Sequence, residues 1–312
     1  MIKRLLILLL VLQALAVGLL ATGLYYGWRP LRVATLSAPS TVALCLGFGI
    51  LVVLLIRLLI AANNFYLSWR SGSITPPDHA LNPLRAAGLF WHEFNSSMLT
   101  SSYYMLRSVG LQLQPAARGL PVLLIHGYVC NSGYWLPMSK LLKQARISHY
   151  GIDLEPPGAS IDDYAPQVHA AVQRLRRETG SPQVIILGHS MGGLVARAYL
   201  RRYGDLHIAR VITLGTPHHG TALAHFGPGS NAAQMRRDSA WLNALAASEA
   251  NTQRTLISSI YSVHDNIIAP QDSSVLPGAR NLVFGAIGHV ALGRHPEILR
   301  CALKEIEAVA RV

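Results

Sequence analysis

Two long apolar runs near the start of the chain limit what it can fold into more than anything that follows. Residues 5–20 are apolar except for Gln13, and the run continues through Leu24 to an aromatic edge at Tyr25, Tyr26 and Trp28. Residues 42–62 form a second run, broken only by Arg57. A helix rising about 1.5 Å per residue needs about 20 apolar residues to cross a hydrocarbon core of about 30 Å, and both runs reach that length. A secretory leader carries an apolar core of only about 7–15 residues, so the first run reads as a retained helix despite Lys3 and Arg4 before it. Arg57 lies close enough to one end of its run to snorkel toward the headgroups.

The charges around these runs set an orientation. Residues 1–70 hold Lys3, Arg4, Arg29, Arg32, Arg57 and Arg70 and no acid; Asp78 is the first. Basic residues retained on the inner side of a membrane place both ends of a two-helix anchor, and the domain after it, on the cytoplasmic face. The whole chain has a net charge of +12, with no basic run or nucleic-acid motif. Such a balance suits an anionic lipid surface, and nucleic acid is not an expected partner. With 51% hydrophobic and 13% charged residues, a disordered chain is excluded. Cys45, Cys130 and Cys301 make neither a disulfide framework nor a metal site, and no cofactor is expected.

Three regions follow: 1–70 as the two-helix transmembrane anchor, 71–118 as a linker with an amphipathic helix, and 119–312 as the catalytic domain. The linker opens near Pro76 and Pro77, and a helix is expected over 81–106. Its Leu84, Phe90, Trp91, Phe94 and Met98 suit either a membrane surface or the side of the domain. Beyond it, strands are expected at 121–125, 148–154, 183–187, 209–214, 255–261 and 281–284. Helices are expected at 136–145, 162–178, 191–203, 232–247 and 296–309. This alternation predicts an α/β fold, a mostly parallel sheet covered by helices on both faces.

Chemistry concentrates at Gly188-His189-Ser190-Met191-Gly192, directly after the expected strand at 183–187. A serine hydroxyl becomes a useful nucleophile when a tight strand-to-helix turn presents it to a base. Glycines two residues to either side let that turn close. The helix beginning at Met191 then aims its first amide at a developing oxyanion. A second strand runs into His126-Gly127-Tyr128, where the Tyr128 amide is the other candidate donor. His126 sits at a turn that needs close packing and reads as structural. A base and an acid are expected in the order serine, acid, histidine. Asp265 follows the strand at 255–261, with Asp272 as the reserve. His289 follows the last strand, with His295 second; His264 is too near Asp265 to partner it.

From the His126-Gly127 turn, through Gly188–Gly193 and Thr213-Leu214-Gly215-Thr216-Pro217-His218-His219-Gly220-Thr221, to Asp265 and His289, the domain resembles the bacterial lipase and esterase branch of the α/β-hydrolase superfamily. Ser160-Ile161-Asp162-Asp163-Tyr164 resembles the segment these lipases place before the helix that leads to the nucleophile strand. The resemblance covers residues 120–309. It implies the α/β-hydrolase fold, Ser190 as nucleophile, His289 as base, Asp265 as the acid orienting it, and the Tyr128 and Met191 amides as the oxyanion hole. His218 and His219 read as framing the cleft.

The small secreted lipases begin close to their first strand, whereas this chain places about 115 residues and two apolar runs ahead of it. The insert at 222–253, with Phe226, Met235, Trp241 and Leu242, reads either as a lid or acyl groove or as an ordinary connecting helix. The expected function is a membrane-anchored serine hydrolase cleaving lipid or acyl esters through an acyl-enzyme, with ester or lipid substrate and membrane lipid as partners. A thioesterase or acyltransferase would use the same three residues. A non-catalytic scaffold or transport-accessory protein is the reading of another class, and it would not need Ser190, Asp265 and His289 together.

Overall fold

The computed structural model describes residues 1–28 and 38–309. Helices α1 (Ile2–Trp28) and α2 (Ala38–Arg70) are each long and apolar enough to cross a membrane. They pack as an antiparallel hairpin: Gln13 meets Arg57, and Val17 meets Gly49, where a side chain would stand 2.8 Å from the Val17 carbonyl oxygen. The connection bearing Arg29 and Arg32 lies outside the described residues. Arg57 does not snorkel. Its guanidinium donates to Gln13 Oε1 at 2.8 Å and to Ser101 Oγ at 3.1 Å. In an apolar setting a polar group is costly unless it is bonded, so the one charge of the second run pairs with Gln13 of the first.

Helix α2 outlasts its apolar run and reaches the domain. Ser68, on its last turn, is buried and donates to the backbone carbonyl of Asp265 at 2.8 Å, while Gln271 Nε2 bonds Ser68 Oγ at 2.9 Å. Helix α3 (Pro83–Ser102) begins with Asn82 accepting the Arg85 amide and with proline at its first position, both standard helix starts. Leu89, Glu93, Ser96 and Thr100, spaced three and four apart, turn inward, and Leu84, Trp91 and Leu99 stay exposed. The helix therefore packs on the domain along one face and offers an apolar face outward.

The chain continues as β1 (Leu111–Gln112), β2 (Val122–Ile125), α4 (Leu136–Gln144), β3 (His149–Ile152), α5 (Ile161–Thr179), β4 (Val184–His189), α6 (Met191–Tyr203) and β5 (Ile208–Leu214). Three short helices follow, α7 (Ser230–Gln234), α8 (Ala240–Ser248) and α9 (Asn251–Thr255), then β6 (Ile257–Ser262), β7 (Arg280–Phe284) and α10 (Pro296–Val309). The sheet order is β1-β3-β2-β4-β5-β6-β7, and only the β1–β3 pair is antiparallel. β1 falls in the segment read as linker; its two residues are too few to show a period.

Alternate residues of the central strands serve two cores. Leu123, Ile125 and Ile186 pack with Val168, Leu194 and Val195 of α5 and α6. Val122, Leu124 and Ile185 pack on the other side with Met138, Leu142 and Ile298 of α4 and α10. A sheet buried on both faces shows continuous apolar runs, which is why these strands were legible. The expected helix at 232–247 is instead split. Asp238 adopts φ +57°, and Ser239 accepts the Leu242 amide to start α8 afresh.

A buried ion pair ties α6 to the end of this insert: Arg197 meets Glu249 through two bonds of 2.5 and 2.8 Å, with the two side chains 0% and 3% exposed. Removing one partner strands the other charge in a low-dielectric interior. Glu249→Ala is expected to destabilise the domain by about 3–5 kcal/mol, read by urea unfolding in detergent; a change under about 1 kcal/mol would show that the pair contributes little.

Candidate active site

Ser190 occupies the junction of β4 and α6 with φ +54°, a conformation that costs a side-chain-bearing residue about 1–3 kcal/mol and persists where its surroundings enforce it. They do so from three sides. Its amide donates to the Leu214 carbonyl at 2.8 Å, and its own carbonyl accepts from Gly193 N and Thr216 Oγ1. A side chain on Gly192 would lie 2.3 Å from the Ile125 carbonyl oxygen, and one on Gly127 would lie 2.9 Å from Ser190 Cβ. Neither position admits one, so the turn and the strand β2 loop close on each other.

Asp265 and His289 meet. His289 Nδ1 lies 2.7 Å from Asp265 Oδ2, while Asp265 Oδ1 accepts the Ile267 and Ile268 amides at 2.8 Å each. Both side chains are buried. Burial alone would lower the histidine's pKa, but the Asp265 carboxylate, by charge and by hydrogen bond, raises it above the ordinary value, with Glu93 acting in the same sense. Asn266 Oδ1 accepts the His289 amide at 2.9 Å and fixes the loop. Gly215, φ +53°, makes room: a side chain there would stand 3.1 Å from Asp265 Oδ2 and 3.3 Å from His289 Nδ1.

Ser190 is set into the wall of a cleft of about 470 Å³ together with Tyr128, and among the described hydrogen bonds none joins its hydroxyl to His289. Serine–base bonds often tighten only when substrate is present. The Tyr128 and Met191 amides donate to no backbone carbonyl among the described residues. The rest of the cleft is largely apolar: Leu223, Phe226, Ala232 and Met235 of the insert form one wall, and Asn63, Asn64 and Leu67 of α2 form another. Behind this wall, Trp241 Nε1 of the insert donates to Asp162 Oδ2 at 2.8 Å.

The other histidines have separate places. His126 Nε2 accepts the Leu154 amide and Nδ1 bonds the Gly127 carbonyl, so it braces the turn. His264 accepts the Ala286 amide, and His295 stacks edge-on with His92. Asp272 is exposed and its backbone amide bonds Ser73. His218 does not frame the cleft. It is buried behind β5 against Arg197 and within 3.3–3.4 Å of the Thr213 and Ser259 hydroxyls. The buried Arg197 guanidinium, paired with Glu249, also meets His218 at its Nδ1 (3.3 Å) and donates to its carbonyl (3.2 Å).

Two residues near the site were missed by sequence reading. His189 lies between the Tyr134 ring, at 4.2 Å, and the His289 ring, at 4.6 Å; burial, with His289 beside it, pushes its pKa well down and keeps it neutral. Glu93 of α3 is 2% exposed, and its two carboxylate oxygens accept the Val290 and Ala291 amides at 2.9 Å each, directly after His289. An acid inside Phe90-Trp91-His92-Glu93-Phe94 was the available signal. Among the described residues no group of three or more His, Cys, Asp or Glu side chains is placed to hold a metal.

The family model for the alpha/beta hydrolase fold matches residues 121–281, more than half of the chain. The chain belongs to the α/β-hydrolase fold family. It is 32% identical over 121 residues to a triacylglycerol lipase of Pseudarthrobacter phenanthrenivorans, covering 36% of this chain and 37% of that one. It is 26% identical over 140 residues to the human (lyso)-N-acylphosphatidylethanolamine lipase, covering 41% and 37%. The match thus spans little more than a third of these relatives' length. Among solved structures, a mature Bacillus licheniformis lipase superposes with TM-score 0.55 at 18% identity, over 62% of this chain and 94% of that one. Aspergillus fumigatus lipase B gives 0.53 at 18% identity, over 62% and 55%. These likenesses establish the fold of the hydrolase domain.

The Glu93 charge favours a protonated His289, so Glu93→Gln is expected to shift the acid limb of the pH profile of kcat/KM for ester hydrolysis to lower pH. An unmoved limb would leave Glu93 with a purely structural part in holding the His289 loop.

Proposed function

We propose that the protein is a membrane-anchored serine hydrolase that cleaves carboxylic esters of lipids or acyl groups through an acyl-enzyme. The observation carrying this reading is the strained Ser190 turn at the cleft wall in the same fold as the buried His289–Asp265 pair. In the reaction, Ser190 Oγ attacks the ester carbonyl while His289 Nε2 takes its proton, and Asp265 holds the Nδ1 proton and steadies the imidazolium. The Tyr128 and Met191 amides receive the oxyanion; such donors are typically worth about 2.7–4 kcal/mol each. The alcohol leaves with the proton from His289. Water, deprotonated by the same nitrogen, then cleaves the acyl-serine and releases the acid.

The lipase names of the sequence relatives support an ester substrate, and the apolar cleft suits an acyl chain. The hairpin supports an anchor, because α1 begins and α2 ends on the same side, against the domain. With Lys3, Arg4, Arg70 and Arg85 on that side, the domain faces the cytoplasm.

Hydrolysis of chromogenic acyl esters in detergent by wild type and Ser190→Ala tests the reading. Turnover is expected to fall at least about a thousandfold in the variant. Equal turnover by the two proteins would refute it.

A further inference from the structure

A second cavity adjoins the catalytic cleft. This one, of about 510 Å³, shares Asn64 and Ile267 with the first and lies between α1, α2 and α3. Leu9 and Leu12 of α1, Ile56 and Ile60 of α2, and Phe94 and Met98 of α3 face into it. Along α2 it extends from Val53 to Asn64, about 16 Å at the helical rise. Its volume is of the size that holds an organic ligand, about 300–1,000 Å³ in known sites. The charged groups on its walls are already engaged: Arg57 by Gln13 and Ser101, and Glu93 by the Val290 and Ala291 amides. What remains open is apolar.

Depth decides what such a space can receive. The apolar run of α2 ends at Ala62; Asn63, Asn64, Tyr66, Trp69 and Arg70 follow, the residue types that sit at a membrane–water boundary. Asn63 and Asn64 line the cleft with Ser190. The reacting serine is therefore level with the boundary, where the ester groups of lipids lie. The second cavity leads from there along the apolar helices into the depth of the hydrocarbon. A water-soluble ester has no reason to enter in that direction.

We propose that this cavity receives one acyl chain of a bilayer lipid, which reaches Ser190 sideways, between the hairpin and the hydrolase sheet. The inference rests on the serine-hydrolase reading and names its substrate class: long-chain acyl esters resident in the membrane. The hairpin is then a wall of the substrate site as well as an anchor.

Ala61→Trp and Ser97→Trp each place an indole in the cavity, from opposite walls. Turnover of palmitate and butyrate esters in mixed micelles would be compared with wild type. The palmitate-to-butyrate ratio is expected to fall at least about tenfold in both variants. A ratio within about twofold of wild type in a variant that still turns over butyrate would overturn the proposal. A second measurement needs no substitution in the cavity. Ser190→Ala in phosphatidylcholine vesicles, with a diazirine at the end of one acyl chain, is expected to be labelled at Phe94, Ser97 or Met98. Label confined to the outward faces of α1 and α2 would overturn the proposal equally. Butyrate turnover that survives Ser190→Ala would instead strike at the hydrolase reading beneath it.

Discussion

The left-handed backbone of Ser190 is the constraint on which the site depends. A side-chain-bearing residue keeps φ +54° only where its neighbours leave no alternative, and here the neighbours are whole elements. β5 takes the amide through Leu214, the loop after it takes the carbonyl through Thr216, and β2 presses Gly192 from behind. The parallel sheet, buried on both faces, holds these strands in register. Placing Ser190 is thus a property of the packed core, whereas the cleft in front of it is assembled from later insertions and from the hairpin.

Two of the contacts between the amino-terminal helices and the domain fasten the loops of the site. Ser68, on the last turn of α2, and Gln271 both bond the Asp265 carbonyl, so the loop carrying the acid is fastened to the end of a bilayer-length helix. Glu93 of α3 fastens the loop carrying the histidine. Each half of the Asp265–His289 pair is therefore held from outside the region matched by the family model. A hairpin that only tethered the domain would not need the Ser68 connection.

Much of this was legible in the sequence because the signals were local. The two apolar runs, the strand–helix alternation and the helices at 191–203 and 296–309 correspond to elements that the structure contains. Gly188-His189-Ser190-Met191-Gly192 marked the turn through its glycines, and chain order pointed to Asp265 and His289. What was missed depended on distant partners. Nothing around Glu93 tells that its donors are the amides of Val290 and Ala291. Nothing around Arg57 tells that Gln13 will meet it across the hairpin. His218 and His219 read as framing the cleft, but His218 is buried against Arg197 and His219 bonds the Val275 carbonyl, and neither lines it. The break after Gln234 needed Ser239 to be recognised as a new helix cap inside an otherwise helical pattern.

Covalent capture tests the central claim, that Ser190 is an activated nucleophile at the head of a lipid-facing cleft, most directly. A fluorophosphonate reacts with a serine only when a base draws its proton and an oxyanion site receives the charge. One adduct is expected by intact mass, mapped to Ser190 and absent from Ser190→Ala. A wild-type protein that stays unlabelled while folded, or an adduct that persists in the variant, would contradict it.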